Sequence, residues 1–212
     1  MESRKAELLQ RVESDRDILI DFLRRFIRCP SPNPPGDTRA AAAHIRDLLD
    51  RRGIEYRVIA PQETMPNIVA TFAAGKPGRH LALNGHIDVF PVGDGEGWTQ
   101  DPWGGALVDG RIYGRGACDM KCGTTASIFT FLYLYELREE LHGRLTLSAV
   151  SDEETFGPWG ARYLASITRK CLAIAASTAS RAARGRCASA RRGRCGSNSR
   201  CAPGARTAPT RT

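Results

Sequence analysis

The sequence predicts a layered α/β domain, and three observations point to it. Apolar residues alternate along the chain between helical spacing and short strand-like runs. Histidine and acidic clusters follow those runs or glycine-rich turns, where α/β folds place their sites. The composition, 42% apolar and 25% charged over 212 residues, is that of a globular domain large enough to bury a core.

Each element has its own signal. Ile18, Leu19, Phe22, Leu23, Phe26 and Ile27 recur at helical spacing and predict one amphipathic helix over roughly 5–28. The proline-rich stretch 29–36 stops it as a stiff loop. A second helix starts near Asp37 or Thr38 as N-cap, carries Ile45, Leu48 and Leu49, and ends at Gly53. Residues 54–60 and 67–73 read as strands, and Leu81–Leu83 as a short buried strand running into Asn84–Asp88. Residues 106–113 read as a hairpin with Asp109–Gly110 at its turn. A long apolar helix over 121–141 comes next. A strand through Leu145, Leu147, Ala149 and Val150 then ends at Ser151-Asp152-Glu153-Glu154, and a last helix begins within 158–167.

The net charge of +8 is unevenly distributed. Residues 169–212 hold ten Arg, one Lys and no acid, which leaves 20 basic and 23 acidic residues in 1–168. The chain therefore divides into a slightly acidic body, 1–168, and a basic tail, 169–212. The tail is rich in Ala, Arg, Ser and Cys and has no aromatic residue. That composition predicts no packed core there, and also fits a GC-rich message read out of frame. No apolar run approaches the ~20 residues that span a bilayer, so no membrane partner is expected. Seven Cys and no apolar leader fit reduced thiols and a cytoplasmic location.

Three clusters carry the chemistry. In His86-Ile87-Asp88 the two polar side chains share one side of an extended segment, so a carboxylate can orient an imidazole. Asp119 lies between the Gly114–Gly116 turn and the apolar helix. Asp152, Glu153 and Glu154 crowd three carboxylates at a strand end. Each alone also reads as an ordinary hydrogen-bonded turn, helix cap or solvated acidic loop. Together, one histidine and several carboxylates on separate strand ends suit one zinc ion or a pair.

The blocks Leu83–Pro91, Trp98, Pro102-Trp103, Asp109–Gly116, Asp119-Met120-Lys121 and Asp152–Glu154 occur in the order found in the dizinc amidohydrolases and peptidases. The chain resembles that family, which includes acetylornithine deacetylase, succinyl-diaminopimelate desuccinylase, aminoacylase and glutamate carboxypeptidase, from about residue 15 to 168. The resemblance implies a helix–sheet–helix zinc-hydrolase catalytic domain that is incomplete and lacks the family's inserted lid and dimerisation domain. It implies that His86 ligates one zinc, Asp119 bridges two and Glu154 ligates the other. Cobalt is the expected substitute ion. Asp88 would orient His86, and Glu153 would act as general base. The implied reaction is hydrolysis of an N-acyl amide in a small N-acyl amino acid or peptide-like substrate.

The chain also departs from the family pattern. It has no acid after Glu154 and no histidine after His142, so three of five expected ligands are present. Little hydrolase activity is therefore expected of this chain, and no lid-mediated homodimer. Two alternatives stand beside the hydrolase: a non-catalytic remnant, and a nucleic-acid binder acting through the Arg-rich tail. The tail lacks aromatics for base stacking and any readout motif, which argues against nucleic acid. Cys122 is expected to be a small buried neighbour of Asp119. Arg115 and Lys121 are candidates either for a substrate carboxylate or for structural pairing.

Overall fold

The computed structural model describes residues 2–167 and 176–178. Where one helix was expected over 5–28, there are two, α1 (Glu2–Ser14) and α2 (Arg16–Ile27). Asp15, at φ −88° and ψ 8°, breaks them. Its carboxylate accepts a hydrogen bond from the Tyr133 hydroxyl (3.0 Å) and pairs with Arg11 (3.7 Å). This tertiary contact interrupts a periodicity that is helical on both sides. Helix α3 (Arg39–Arg51) begins after Thr38 and ends just before Gly53, as expected. Thr38 makes no side-chain cap; its hydroxyl meets Ser151 Oγ at 2.7 Å, while Asp37 Oδ1 accepts the Arg39 N–H.

The main sheet contains β1 (Tyr56–Ile59), β2 (Asn67–Ala73), β3 (Lys76–His86), β6 (His142–Val150) and β7 (Ala176–Thr178), in the order β1-β2-β6-β3-β7. The pairs β1–β2 and β2–β6 are antiparallel, whereas β6–β3 and β3–β7 are parallel. The expected short strand 81–83 is thus the inner part of an eleven-residue strand. Its first residues, Lys76–Arg79, are exposed and carry no buried pattern to read. Strand β7 falls inside the segment whose composition predicted no packed structure; the rest of 169–212 lies outside the described residues. Strands β4 (Ala106–Val108) and β5 (Arg111–Tyr113) form the expected separate hairpin. Its turn residues Asp109 and Gly110 both have positive φ, as a tight two-residue hairpin turn requires. Helix α4 (Lys121–Glu136) stops short of 141 and passes into a 3-10 turn, Arg138–Glu140. Helix α5 is Ala161–Ile167.

Strand alternation sends Ile68, Ala70, Phe72, Leu83, Leu145, Leu147 and Ala149 to one face, where they join Phe26 of α2, Ile45 and Leu49 of α3, and Ile128 and Phe131 of α4 in a single core. The opposite face carries polar contacts instead, Thr71–Thr146, His80–Thr146 and Ser148–Asn84. Helix α4 lies so close to β3 that a Cβ on Gly85 would stand 2.5 Å from Thr124 Oγ1 and 3.2 Å from its Cα. The same Thr124 hydroxyl donates to the His86 carbonyl at 2.8 Å.

The crossover from β3 through α4 to β6 runs one way across the sheet. The crossover from β6 through α5 to β7 runs back past β3. Right-handed crossovers therefore assign α4 and α5 to opposite faces, which gives the helix–sheet–helix layering. The carboxyl ends of β3 and β6, neighbours whose chains leave toward opposite faces, form a crevice of the kind in which open α/β sheets hold ligands.

Candidate metal centre

Three segments converge on that crevice. Strand β3 ends on His86 and leads into Asp88; β6 ends on Val150 and leads into Ser151–Glu154; the turn before α4 carries Asp119. His86 is buried. Its Nδ1–H donates to the Asp88 backbone carbonyl (2.9 Å), which leaves Nε2 facing the crevice. Nε2 stands 3.3 Å from Asp119 Oδ1 and 3.6 Å from Glu153 Oε2. One ligand atom each from His86, Asp119 and Glu154 lies within 4.8 Å of the other two. All three metal-ligating candidates read from the sequence are thus brought together.

The two remaining candidates flank this group. Glu153 is 48% exposed in its side chain and lies at the solvent edge, while Asp88 is fully buried behind His86. Asp88 holds His86 mainly through its carbonyl; its carboxylate Oδ1 is 3.6 Å from Nδ1 and has no hydrogen-bond partner among the described residues. Its Oδ2 accepts from Asn33 Nδ2 (2.9 Å) and from the Glu154 N–H (3.0 Å), so it fixes the Glu154 main chain. The Phe90 N–H in turn holds Glu154 Oε1 at 3.1 Å.

The acidic triplet splits by role. Asp152, at φ 69°, is buried and accepts from Thr155 Oγ1 (2.8 Å), the Trp159 N–H (3.0 Å) and Asn33 Nδ2 (3.2 Å), so it shapes the loop. Glu153 and Glu154 face the crevice. Sequence reasoning missed Asn33, which is 2% exposed and joins Asp88 to Asp152 through one amide nitrogen. The available signal was a lone amide side chain inside Pro32-Asn33-Pro34, a rigid frame well suited to aiming it.

Electrostatics in the crevice favour positive charge. Burial opposes charge on His86, yet hydrogen bonds to Asp119 and Asp88 outweigh it and lift the imidazole to about 10. Burial raises Glu154 to about 7, helped by Asp119, Asp88 and Glu153 and opposed by His86. Asp88 is also pushed up by burial, but the nearby His86 ring and hydrogen bonds from Asn33 and the Glu154 N–H bring it below the usual carboxylate range. The raised imidazole shows that the carboxylates favour positive charge at this point, and a metal ion that displaces the Nε2 proton would supply it. A nitrogen and two oxygens are a donor set that suits zinc. The residues therefore fit the ion that the resemblance implies.

The neighbouring candidates resolve differently. Lys121 is buried and donates to the Phe26 (2.9 Å) and Cys29 (2.7 Å) carbonyls at the end of α2, over the Phe26 ring. It is structural and faces no substrate. Burial lowers its ammonium to about 7. Cys122 is half-buried rather than buried, with its thiol on the Cys118 carbonyl at 3.2 Å. No helix among the described residues is long and apolar enough to cross a membrane.

Comparison with known proteins agrees with this geometry. The profile of Peptidase family M20/M25/M40 matches residues 82–186, which runs past residue 168, where the sequence reading put the departure. A succinyl-diaminopimelate desuccinylase of Gluconacetobacter diazotrophicus is 41% identical over 147 residues, 65% of this chain and 36% of the relative. An N-formyl-4-amino-5-aminomethyl-2-methylpyrimidine deformylase of Halalkalibacterium halodurans is 32% identical over 151 residues, 70% of this chain and 35% of the relative. The crystal structure of an M20 family metallo-carboxypeptidase from Sulfolobus solfataricus superposes with a TM-score of 0.63 at 25% identity, over 73% of this chain and 35% of that one. The chain spans about a third of the length of the curated relatives it matches.

Proposed function

Because the chain belongs to peptidase family M20/M25/M40, we propose that residues 1–168 are part of the catalytic domain of a zinc-dependent hydrolase that cleaves an N-acyl amide, of deacylase or desuccinylase type, in the cytoplasm. The observation that supports this most directly is the meeting of His86, Asp119 and Glu154 ligand atoms within 4.8 Å. In this reading those three hold the metal. The family resemblance adds a second zinc, with Asp119 shared between the two and cobalt able to substitute. Bound zinc would polarise the amide carbonyl and make water more acidic.

The remaining steps fall to the chain's own side chains. His86 presents Nε2 because its Nδ1–H is committed to the Asp88 carbonyl. Asp88 keeps Glu154 in place through the Glu154 N–H. Glu153, beside Nε2 and open to solvent, takes a proton from the attacking water and returns it to the leaving amine. The products are a carboxylate and an amine. The two relatives named above remove a succinyl and a formyl group by name, which suits a small N-acyl amino acid or peptide-like substrate here.

With three ligands among the described residues, hydrolysis by this chain is expected to be weak or absent. Zinc binding is the direct test, measured by chelator competition on the purified chain. Binding that is lost in His86→Ala and Asp119→Asn supports the metal centre, and wild-type affinity in those variants refutes it. Robust zinc-dependent deacylation abolished by Glu153→Gln would overturn the expectation of impaired activity.

A further inference from the structure

We propose that Asn67 is a positioning residue for the metal centre, clipping together both ends of the loop that carries Glu153 and Glu154. The inference rests on the hydrolase reading and adds to it a residue that touches neither the ligand atoms nor the crevice. Asn67 opens β2 and is fully buried. Its Oδ1 accepts the Ser151 N–H at 3.0 Å. Its Nδ2 donates to the Trp159 and Ile59 carbonyls, both at 2.9 Å. Ser151 directly follows β6, and Trp159 stands just before α5, so one amide spans the base of the loop between them. The bond to Ile59 fastens that base to the last residue of β1.

The course of the loop is set at this base. Its ends touch: a Cβ on Gly160 would stand 1.7 Å from the Ser151 carbonyl oxygen. The Ser151 hydroxyl donates to the carbonyl of Pro66, the residue before Asn67, at 2.9 Å. The tip is open, and Phe156 there is 80% exposed. Asp88 holds the Glu154 N–H from the crevice at 3.0 Å, but the chain reaches Glu154 only through Ser151, Asp152 and Glu153. A shift of the base is therefore carried to both glutamates. Metal sites hold their ligand distances to within about 0.2 Å, so even a small shift weakens binding. Asparagine alone offers two donors and an acceptor on so short a stem. Aspartate has the same shape without the donors, and its carboxylate would face two carbonyl oxygens.

The test uses the full chain and zinc alone, with affinity measured by chelator competition and folding checked by circular dichroism. Asn67→Ala and the isosteric Asn67→Asp are each expected to weaken zinc binding about tenfold or more while the chain stays folded. Phe72→Leu serves as the comparison. It thins the core where β2 meets Leu145, at the start of β6, and should lower stability but leave zinc affinity within about threefold. Hydrogen exchange of the metal-free chain reads the clip itself. Asn67→Ala should speed exchange at the Ser151 and Trp159 amides, whereas Asn67→Asp, which keeps the acceptor for Ser151, should speed it at Trp159 alone. Zinc affinity within about threefold of wild type in folded Asn67 variants, an equal fall in Phe72→Leu, unchanged exchange, or failure of both Asn67 variants to fold each overturns the proposal. Failure of the wild type to bind zinc sinks the hydrolase reading instead, and the exchange pattern still decides whether Asn67 holds the loop.

Discussion

Asn33 offers the sharpest test of how the site is held. Its amide donates to two buried carboxylates, Asp88 Oδ2 at 2.9 Å and Asp152 Oδ1 at 3.2 Å, and more weakly to Thr155 Oγ1 at 3.4 Å. Hydrogen bonds to charged groups contribute roughly 1.5–3 kcal/mol each, and a site this buried gives water little room to replace them. Asn33→Ala should therefore cost about 3–5 kcal/mol, a large part of a typical domain's ~5–15 kcal/mol. Urea unfolding followed by far-ultraviolet circular dichroism measures it. Asn33→Asp sharpens the test through pH. The introduced carboxyl would lie between two others, so its folded pKa rises above the ~3.9 of an unfolded Asp. A group raised in the folded state contributes stability at low pH that is lost as pH rises through the folded value. The Asn33→Asp variant should thus lose stability relative to wild type from about pH 4 upward. A cost under about 1 kcal/mol for Asn33→Ala, or pH profiles of wild type and Asn33→Asp that run parallel, would refute the role given to this amide.

Two further outcomes follow from the packing. Gly85→Ala should destabilise the chain by about 1–3 kcal/mol, because its methyl must displace Thr124 and with it α4; an unchanged urea midpoint would contradict the close approach. Burial, with the hydrogen bond to Asp15, pushes Tyr133 up to about 12. Being raised in the folded state, Tyr133 contributes stability that is complete below pH ~10 and lost between about 10 and 12. Tyr133→Phe should flatten that part of the wild-type pH–stability curve, and curves falling in parallel would show that the pair with Asp15 contributes nothing.

Much of this architecture was legible because its signals are local. Strand β2 matches its expected span, since its burial alternates along a sheet half open to solvent. The hairpin was legible from Asp109–Gly110, whose backbone demands few residue types. The metal-ligating candidates were legible as clusters at strand ends, and the parallel pairing of β3 with β6 is what joins two of those ends. What escaped is tertiary. The break at Asp15 depends on a tyrosine 118 positions away, and no window of sequence contains both. The outer part of β3 carries no apolar pattern, because its side chains face water. The different roles of Asp152, Glu153 and Glu154 come from which carboxylate meets Asn33, a partner 119 residues from Asp152.

The crevice between β3 and β6 also bears on the order of folding. Asp88 and Glu154, joined through the Glu154 N–H, are 66 residues apart along the chain, and their segments adjoin only after two parallel strands have paired across the long excursion through the hairpin and α4. Closing such a loop loses chain entropy before the late contacts can offset it, and parallel pairing is a slow event for the same reason. A divalent ion at His86, Asp119 and Glu154 binds only the joined form. It then acts as a removable clasp, and zinc should slow the opening of the β3–β6 seam more than it speeds its formation.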